Sequence, residues 1–128
     1  MARDRRRARG DRGEDLAVEH LLTHGYEVLE RNFRTRFGEL DLVAADSDAL
    51  VFCEVKTRVR RDPGRALQPL ESIGSDKRRR VRLMAARWLA ARAGDGRPLR
   101  RDVRFDAIGV TVTPGGELAH LEHVENAF

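Results

Sequence analysis

Three residues near the middle of the chain, Asp41, Glu54 and Lys56, have the types and the spacing to act on a phosphate. Two apolar runs, Leu40 to Ala45 and Ala49 to Val55, flank the polar triplet Asp46-Ser47-Asp48, which is the pattern of a β-hairpin. With a short, even-numbered loop, residue numbers across the ladder sum to 95. One face then carries Leu40 opposite Val55, Leu42 opposite Cys53 and Ala44 opposite Val51. The other carries Ala45 opposite Leu50 and Val43 opposite Phe52, then Asp41 opposite Glu54 and Glu39 opposite Lys56 at the open end. A slip of one residue would turn every side chain to the wrong face, so the apolar pattern selects this register.

The pairing predicts that Asp41 and Glu54 share a face with Cβ atoms about 4.5 to 5.5 Å apart. At an effective dielectric of about 20, such carboxylates repel by about 3 kcal/mol, a large share of the roughly 5 to 15 kcal/mol that holds a domain together. Lys56, two residues beyond Glu54 on that face, offsets part of the repulsion. A hard divalent cation offsets more, because Mg²⁺ uses one or two carboxylates, keeps several waters and completes its shell with phosphate. The competing reading is a solvated hairpin end with a Glu39–Lys56 surface ion pair of little worth. Strands that are otherwise apolar on both faces point to a buried sheet and favour the metal reading.

Around this hairpin, a first helix is expected from Gly13 to His24, ending at Gly25, a residue suited to a left-handed cap. Ala17, Val18, Leu21 and Leu22 make its buried stripe, and one turn earlier the stripe reaches Glu14. An acid in a first turn is ordinarily explained by the helix dipole, but its inward position also makes Glu14 a candidate for the site. His20 and His24, one turn apart with no third ligand in sight, read as partly exposed helix histidines. Strand one is expected from Tyr26 to Arg34, with Arg31, Arg34 and Arg36 near the end that carries Glu39. After Lys56, residues Thr57 to Gly74 read as a loop broken by Asp62-Pro63-Gly64. Its Arg58, Arg60, Arg61 and Arg65 suit either grasping a strand of nucleic acid or solvating a connection, and Gln68 is a weak candidate to assist a metal-bound water. A second helix starts at the N-cap Ser75 and runs to Ala93. Val81, Met84, Ala85, Trp88 and Leu89 form its core stripe, and Lys77 lies one turn ahead of it. Arg78, Arg79, Arg80 and Arg82 form a solvated face. Residues 95–100 read as a loop. Strand four spans Arg101 to Thr113 and turns at Pro114-Gly115-Gly116 into a last strand from Glu117 to Val124. Asp106 either orients a base near the site or pairs structurally with an arginine such as Arg104. Phe128 reads as an apolar anchor.

The 128 residues suit one domain, read as residues 13–128 behind a disordered basic arm over residues 1–12. A net charge of +4 and a pI near 10.1 favour an acidic partner, nucleic acid first. Of the 25 basic residues only Lys56 and Lys77 are lysine, so composition alone supports that partner weakly. The single cysteine, Cys53, permits no internal disulfide and reads as a small buried hydrophobe. The Arg-rich amino terminus lacks the apolar stretch of a signal peptide, and no run is long enough to span a bilayer. A cytoplasmic protein with no membrane contact is the expectation.

The ordered motifs Gly13-Glu14, Arg31-Asn32-Phe33-Arg34, Gly38-Glu39-Leu40-Asp41, Glu54-Val55-Lys56, Lys77, Arg104-Phe105-Asp106 and Asn126-Ala127-Phe128 resemble the YraN-like family of bacterial proteins. The Asp…Glu-x-Lys core is similar to that of the restriction-endonuclease-like, or PD-(D/E)xK, nuclease superfamily. The resemblance implies an α/β fold, a mixed sheet flanked by two helices in the order α-β-β-β-α-β-β. It further implies Mg²⁺ or Mn²⁺ at Asp41, Glu54 and the Val55 carbonyl, with Lys56 assisting. The Glu14, Asp41, Glu54, Lys56 layout is similar to that of Holliday-junction resolvases, which implies phosphodiester hydrolysis in DNA, branched DNA included, and a homodimer. Arg34, Arg36, Arg58, Arg60, Arg61, Arg65 and Lys77 are the expected nucleic-acid contacts. The alternative is a non-catalytic nucleic-acid-binding or adaptor domain that keeps the nuclease fold.

Overall fold

The central hairpin forms in the register that its apolar pattern demands. In the computed structural model, which describes residues 2–62, 75–92 and 102–127 (side chains from residue 10 on), Leu42 pairs with Cys53, Val43 with Phe52, Ala44 with Val51 and Ala45 with Leu50. Asp46 closes the loop. Its main-chain N–H donates to the Ala49 carbonyl, and its Oδ1 accepts from the N–H groups of Asp48 (2.9 Å) and Ala49 (2.7 Å), an Asx arrangement that fixes a tight turn.

The elements follow the expected order: α1 (Ala2–Thr23), β1 (Glu27–Thr35), β2 (Gly38–Ala45), β3 (Ala49–Val59), α2 (Ser75–Arg92), β4 (Asp102–Val112) and β5 (Leu118–Val124). The five strands form one sheet in the order β1-β2-β3-β4-β5. All neighbours are antiparallel except β3 and β4, which run parallel. A parallel pair needs a crossover, and α2 supplies it. The fold is therefore the mixed α/β sheet with two helices that the element order implied.

Alternation along the strands divides the core in two. Leu42, Ala44, Val51, Cys53, Ile108 and Val110 pack with Leu16, Ala17 and Leu21 of α1. Val43, Leu50 and Phe52 pack with Val81, Met84, Ala85 and Trp88 of α2. Trp88 meets the Phe52 ring edge-on at 5.7 Å between centroids, and Phe105 lies near-parallel to Phe52 at 5.6 Å. With both faces covered, the central strands read as the near-continuous apolar runs seen in the sequence.

α1 ends as expected. Gly25 has φ +85°, and the N–H groups of Gly25 and Tyr26 donate to the carbonyls of Leu22 and Leu21, the paired bonds of a Schellman cap. Three expectations are corrected. The helix starts at Ala2 rather than Gly13, so residues expected as a disordered arm belong to α1; Ala and Arg both have high helix propensity. Leu22 is 55% exposed while Leu16 is 5% exposed, so the buried stripe is shifted around the helix from the one expected. Finally, β3 does not stop at Lys56: parallel pairing with β4 carries it through Thr57↔Val110 and Arg58↔Thr111 to Val59↔Val112. Residues 63–74, 93–101 and Phe128 lie outside the described residues, and with them the expectations for Arg65 and Gln68, for the loop at 95–100 and for the Phe128 anchor.

Candidate active site at the parting of two strands

The β2–β3 ladder ends at Leu42 and Cys53. The expected pairs Asp41–Glu54, Leu40–Val55 and Glu39–Lys56 do not form, and the reason is Asp41 itself. Its Oδ2 accepts the Val55 N–H at 2.8 Å, so a carboxylate sits between the strands where a main-chain acceptor would continue the ladder. The alternation breaks here too, since Leu40 joins the α2-side core with Val43 while Leu42 faces α1. On β1 the residue at the same level, between the pairs Arg31↔Leu42 and Phe33↔Leu40, is Asn32, with φ +53°.

Asp41 therefore lies half-buried in the parting rather than squarely opposite Glu54. Burial, then the charge of Glu54, pushes its carboxyl up to about 7, with Glu39 and Glu14 adding to the rise and the Val55 N–H opposing it. Glu54 belongs to β3 and Glu14 to α1, so Asp41 feels acids from both layers of the fold. Glu54 turns toward α2, where Lys77 Nζ meets its Oε1 at 2.8 Å. Lys77 is thus where the helical stripe aimed it. Lys56 is exposed, with no ion pair among the described residues.

Glu14 is 7% exposed and its Oε1 accepts from Arg31 Nε (3.2 Å) and Asn32 Nδ2 (3.0 Å). The preceding Gly13 explains the Gly-Glu motif: a Cβ there would stand 1.8 Å from Thr57 Oγ1. Only glycine lets α1 approach β3 this closely, and the approach brings Glu14 beside the Glu54-Val55-Lys56 segment.

The basic residues divide. Arg34 is exposed and 3.6 Å from Glu39. Arg36 lies over the Phe37 ring, its guanidinium carbon 4.8 Å from the centroid. Arg58 Nε donates to Thr111 Oγ1 at 3.2 Å, a structural bond that ties it to β4. Arg60 is half-buried, its N–H donating to the Val112 carbonyl, and Arg61 is exposed.

Asp106 takes the structural role. It is fully buried on the α1 side of β4 and accepts from Arg104, from the Asn126 N–H at 3.0 Å and, at 2.7 Å, from His123 Nε2. Burial opposes its ionisation, but His123, Arg104 and the Asn126 N–H together hold it below the usual carboxylate range. His123 Nδ1 in turn meets His20 Nε2 at 3.0 Å. Burial first, and then His24 and His123, lower the His20 pKa. His20 thus has a partner from β5 that helical spacing could not disclose. Cys53 is buried as expected, and burial followed by Asp106 pushes its thiol up.

Among the described residues no three His, Cys, Asp or Glu side chains form a ready-made metal cage, and no helix is long and apolar enough to cross a membrane. Fold and site define a class: a mixed α/β domain with an acidic centre where two central strands part, flanked by lysines from β3 and α2. The sequence places it further. The model of the uncharacterised protein family UPF0102 matches residues 13–110. The chain is 44% identical over 121 residues to a UPF0102 protein of Rhodococcus jostii, covering 94% of this chain and 96% of that one. It is 48% identical over 111 residues to one of Streptomyces griseus (87% and 88%) and 43% identical over 119 residues to one of Geobacter metallireducens (93% and 90%). The chain belongs to the UPF0102 family, the YraN-like family that its ordered motifs resemble.

Proposed function

We propose that this protein is a divalent-cation-dependent nuclease that hydrolyses phosphodiester bonds in DNA, with branched DNA among its substrates. The observation that supports it is Asp41, a half-buried carboxylate set in the β2–β3 parting within the field of Glu54 and Glu14 and lacking an ion-pair partner among the described residues. A site that raises an acid's pKa by burial and like charge is one that a cation would relieve. The donor set fits a hard ion such as Mg²⁺ or Mn²⁺: carboxylate and carbonyl oxygens, with no thiolate or imidazole. Asp41, Glu54 and the Val55 carbonyl would hold it, with Glu14 supporting. Bound there, it would polarise the phosphate and lower the pKa of a coordinated water.

The chain's own residues do the rest. Arg31 and Asn32 hold Glu14 in one orientation, and the Val55 N–H does the same for Asp41. Lys56, exposed beside the acids, is free to meet a phosphate oxygen as charge develops on it. Arg34, Arg36 and Arg61, exposed near the same end of the sheet or just after β3, supply phosphate contacts without base specificity.

A second reading, a non-catalytic nucleic-acid-binding or adaptor domain, draws on the Lys77–Glu54 contact, which satisfies one acid from within the protein. Incubation with supercoiled, single-stranded and four-way-junction DNA plus Mg²⁺ or Mn²⁺ separates the two. A nuclease loses cleavage with EDTA and in Asp41→Ala, Glu54→Gln and Lys56→Ala. A binding domain retains affinity through all of these and cleaves nothing. Equal nicking by wild type and variants would mark a contaminant and remove the enzyme.

A further inference from the structure

Phe37, at the turn between β1 and β2, is an aromatic ring left 38% exposed beside the acidic centre. Two cations fix it there. The guanidinium carbons of Arg36, from the turn, and of Arg87, from α2, each lie 4.8 Å from its centroid. Its ring also lines a cavity of about 260 Å³ between that turn and α2, whose other walls include Glu54, Lys77, Arg80 and Met84. The exposed ring and the acid of the candidate site therefore open into one cleft.

From this juxtaposition the geometry points to Phe37 as a stacking platform for an unpaired nucleobase, so that the preferred substrate is DNA with single-stranded or unstacked nucleotides at the link to be cut. This assignment rests on the nuclease reading and names its substrate class. The cleft's charge fits it: Glu54 is answered by Lys77 and Glu39 by Arg34, while Arg36 and Arg87 over the ring and Arg80 on the cavity wall have no ion-pair partner among the described residues. Arg36 and Arg87 lie over the ring, and an aromatic ring layered with guanidinium planes is the kind of surface on which bases of single strands stack. The size fits as well. At about 260 Å³ the cavity is just under the roughly 300 Å³ at which small-ligand pockets begin, a scale suited to a single base or part of a nucleotide. Bases inside a duplex keep their faces stacked on each other, and an enzyme that reads one must take it out of the stack.

The test is fluorescence anisotropy of end-labelled oligonucleotides of equal length, single-stranded and duplex, with the full chain in EDTA at one salt concentration. Wild type is expected to prefer the single strand. Phe37→Ala should weaken single-strand binding by roughly 5- to 150-fold, the range for loss of one base–aromatic stack, and leave duplex binding unchanged. Phe37→Trp should restore the preference, and its new exposed indole should be quenched by single-stranded and not by duplex DNA. Equal losses on both ligands in Phe37→Ala, or no quenching in Phe37→Trp, would overturn the assignment. Cleavage assays in Mg²⁺ or Mn²⁺ keep the two readings apart. Phe37-dependent single-strand binding without cleavage removes the hydrolase and keeps the platform. Cleavage at equal rates on both ligands, indifferent to Phe37, keeps the hydrolase and removes the platform.

Discussion

Asp41→Asn should make the protein more stable at neutral and alkaline pH while abolishing any cleavage. The Asp41 carboxyl is raised from 3.8 to about 7 in the folded chain. A raised acid pKa means that the folded state holds the proton over that interval and the unfolded state does not. Its contribution to stability is therefore fully present below about pH 4 and is lost as pH climbs through about 7. Each unit is worth about 1.4 kcal/mol. Because the charge is shared with Glu54, the penalty above pH 7 comes to about 2 to 4 kcal/mol. Asparagine is neutral at every pH, and its amide oxygen can still accept the Val55 N–H. Urea unfolding followed by fluorescence of the buried Trp88, in EDTA, should show the variant ahead by about that amount at pH 8 and level with wild type at pH 4. Added Mg²⁺ should then raise wild type more than the variant at pH 8, because a ligand that binds only the folded state stabilises it. A variant less stable than wild type at pH 8, or one shifted equally at both pH values, would refute the reasoning.

Gly13→Ala should cost about 1 to 3 kcal/mol by forcing α1 off Thr57, with part of the loss recovered in a Gly13→Ala/Thr57→Ala double variant; thermal melts read both. Arg104→Met should cost about 3 to 5 kcal/mol, since it strips a buried carboxylate of its main cation. The Asp106 pKa is depressed, so the stability it adds is present above its ordinary 3.8 and lost on acidification below that value. Denaturation of the Arg104→Met variant should accordingly show its deficit shrink below pH 4. Cys53, buried and with its thiol pushed up, should resist a thiol reagent in the folded protein and react only as the chain opens, so the labelling rate should follow urea concentration.

Much of the framework was legible because it depends on periodicity. Alternation fixed the hairpin register, glycine marked the end of α1, and the position of Lys77 ahead of Val81 aimed it at Glu54. The same alternation failed at Asp41, since a ladder argument treats every residue as backbone plus facing and cannot foresee a side chain that displaces the ladder. The α1 stripe was misplaced because Leu16 and Leu22 are equally apolar, and only the neighbouring strands decide between them. His123 could have been placed on the α1-facing side by its alternation with Leu121, but its contact with His20 joins residues far apart in the chain. Nothing local to Phe37 in the sequence says that a helix fifty residues on brings Arg87 over its ring. Gly13 was read as a helix start, whereas its reason is a close approach to Thr57.

The parallel sense of β3 and β4 has one more outcome. A chain that leaves β3 and must enter its neighbour from the opposite edge has to travel back across the sheet, and α2 is that return journey. Its opening turn is thereby delivered to the edge toward which β3 travels, and the ammonium of Lys77 arrives beside Glu54 through connectivity rather than through any local attraction. Were the two strands to run in opposite senses, a short hairpin could join them, no returning helix would be needed, and the acid would have to find its counter-charge elsewhere.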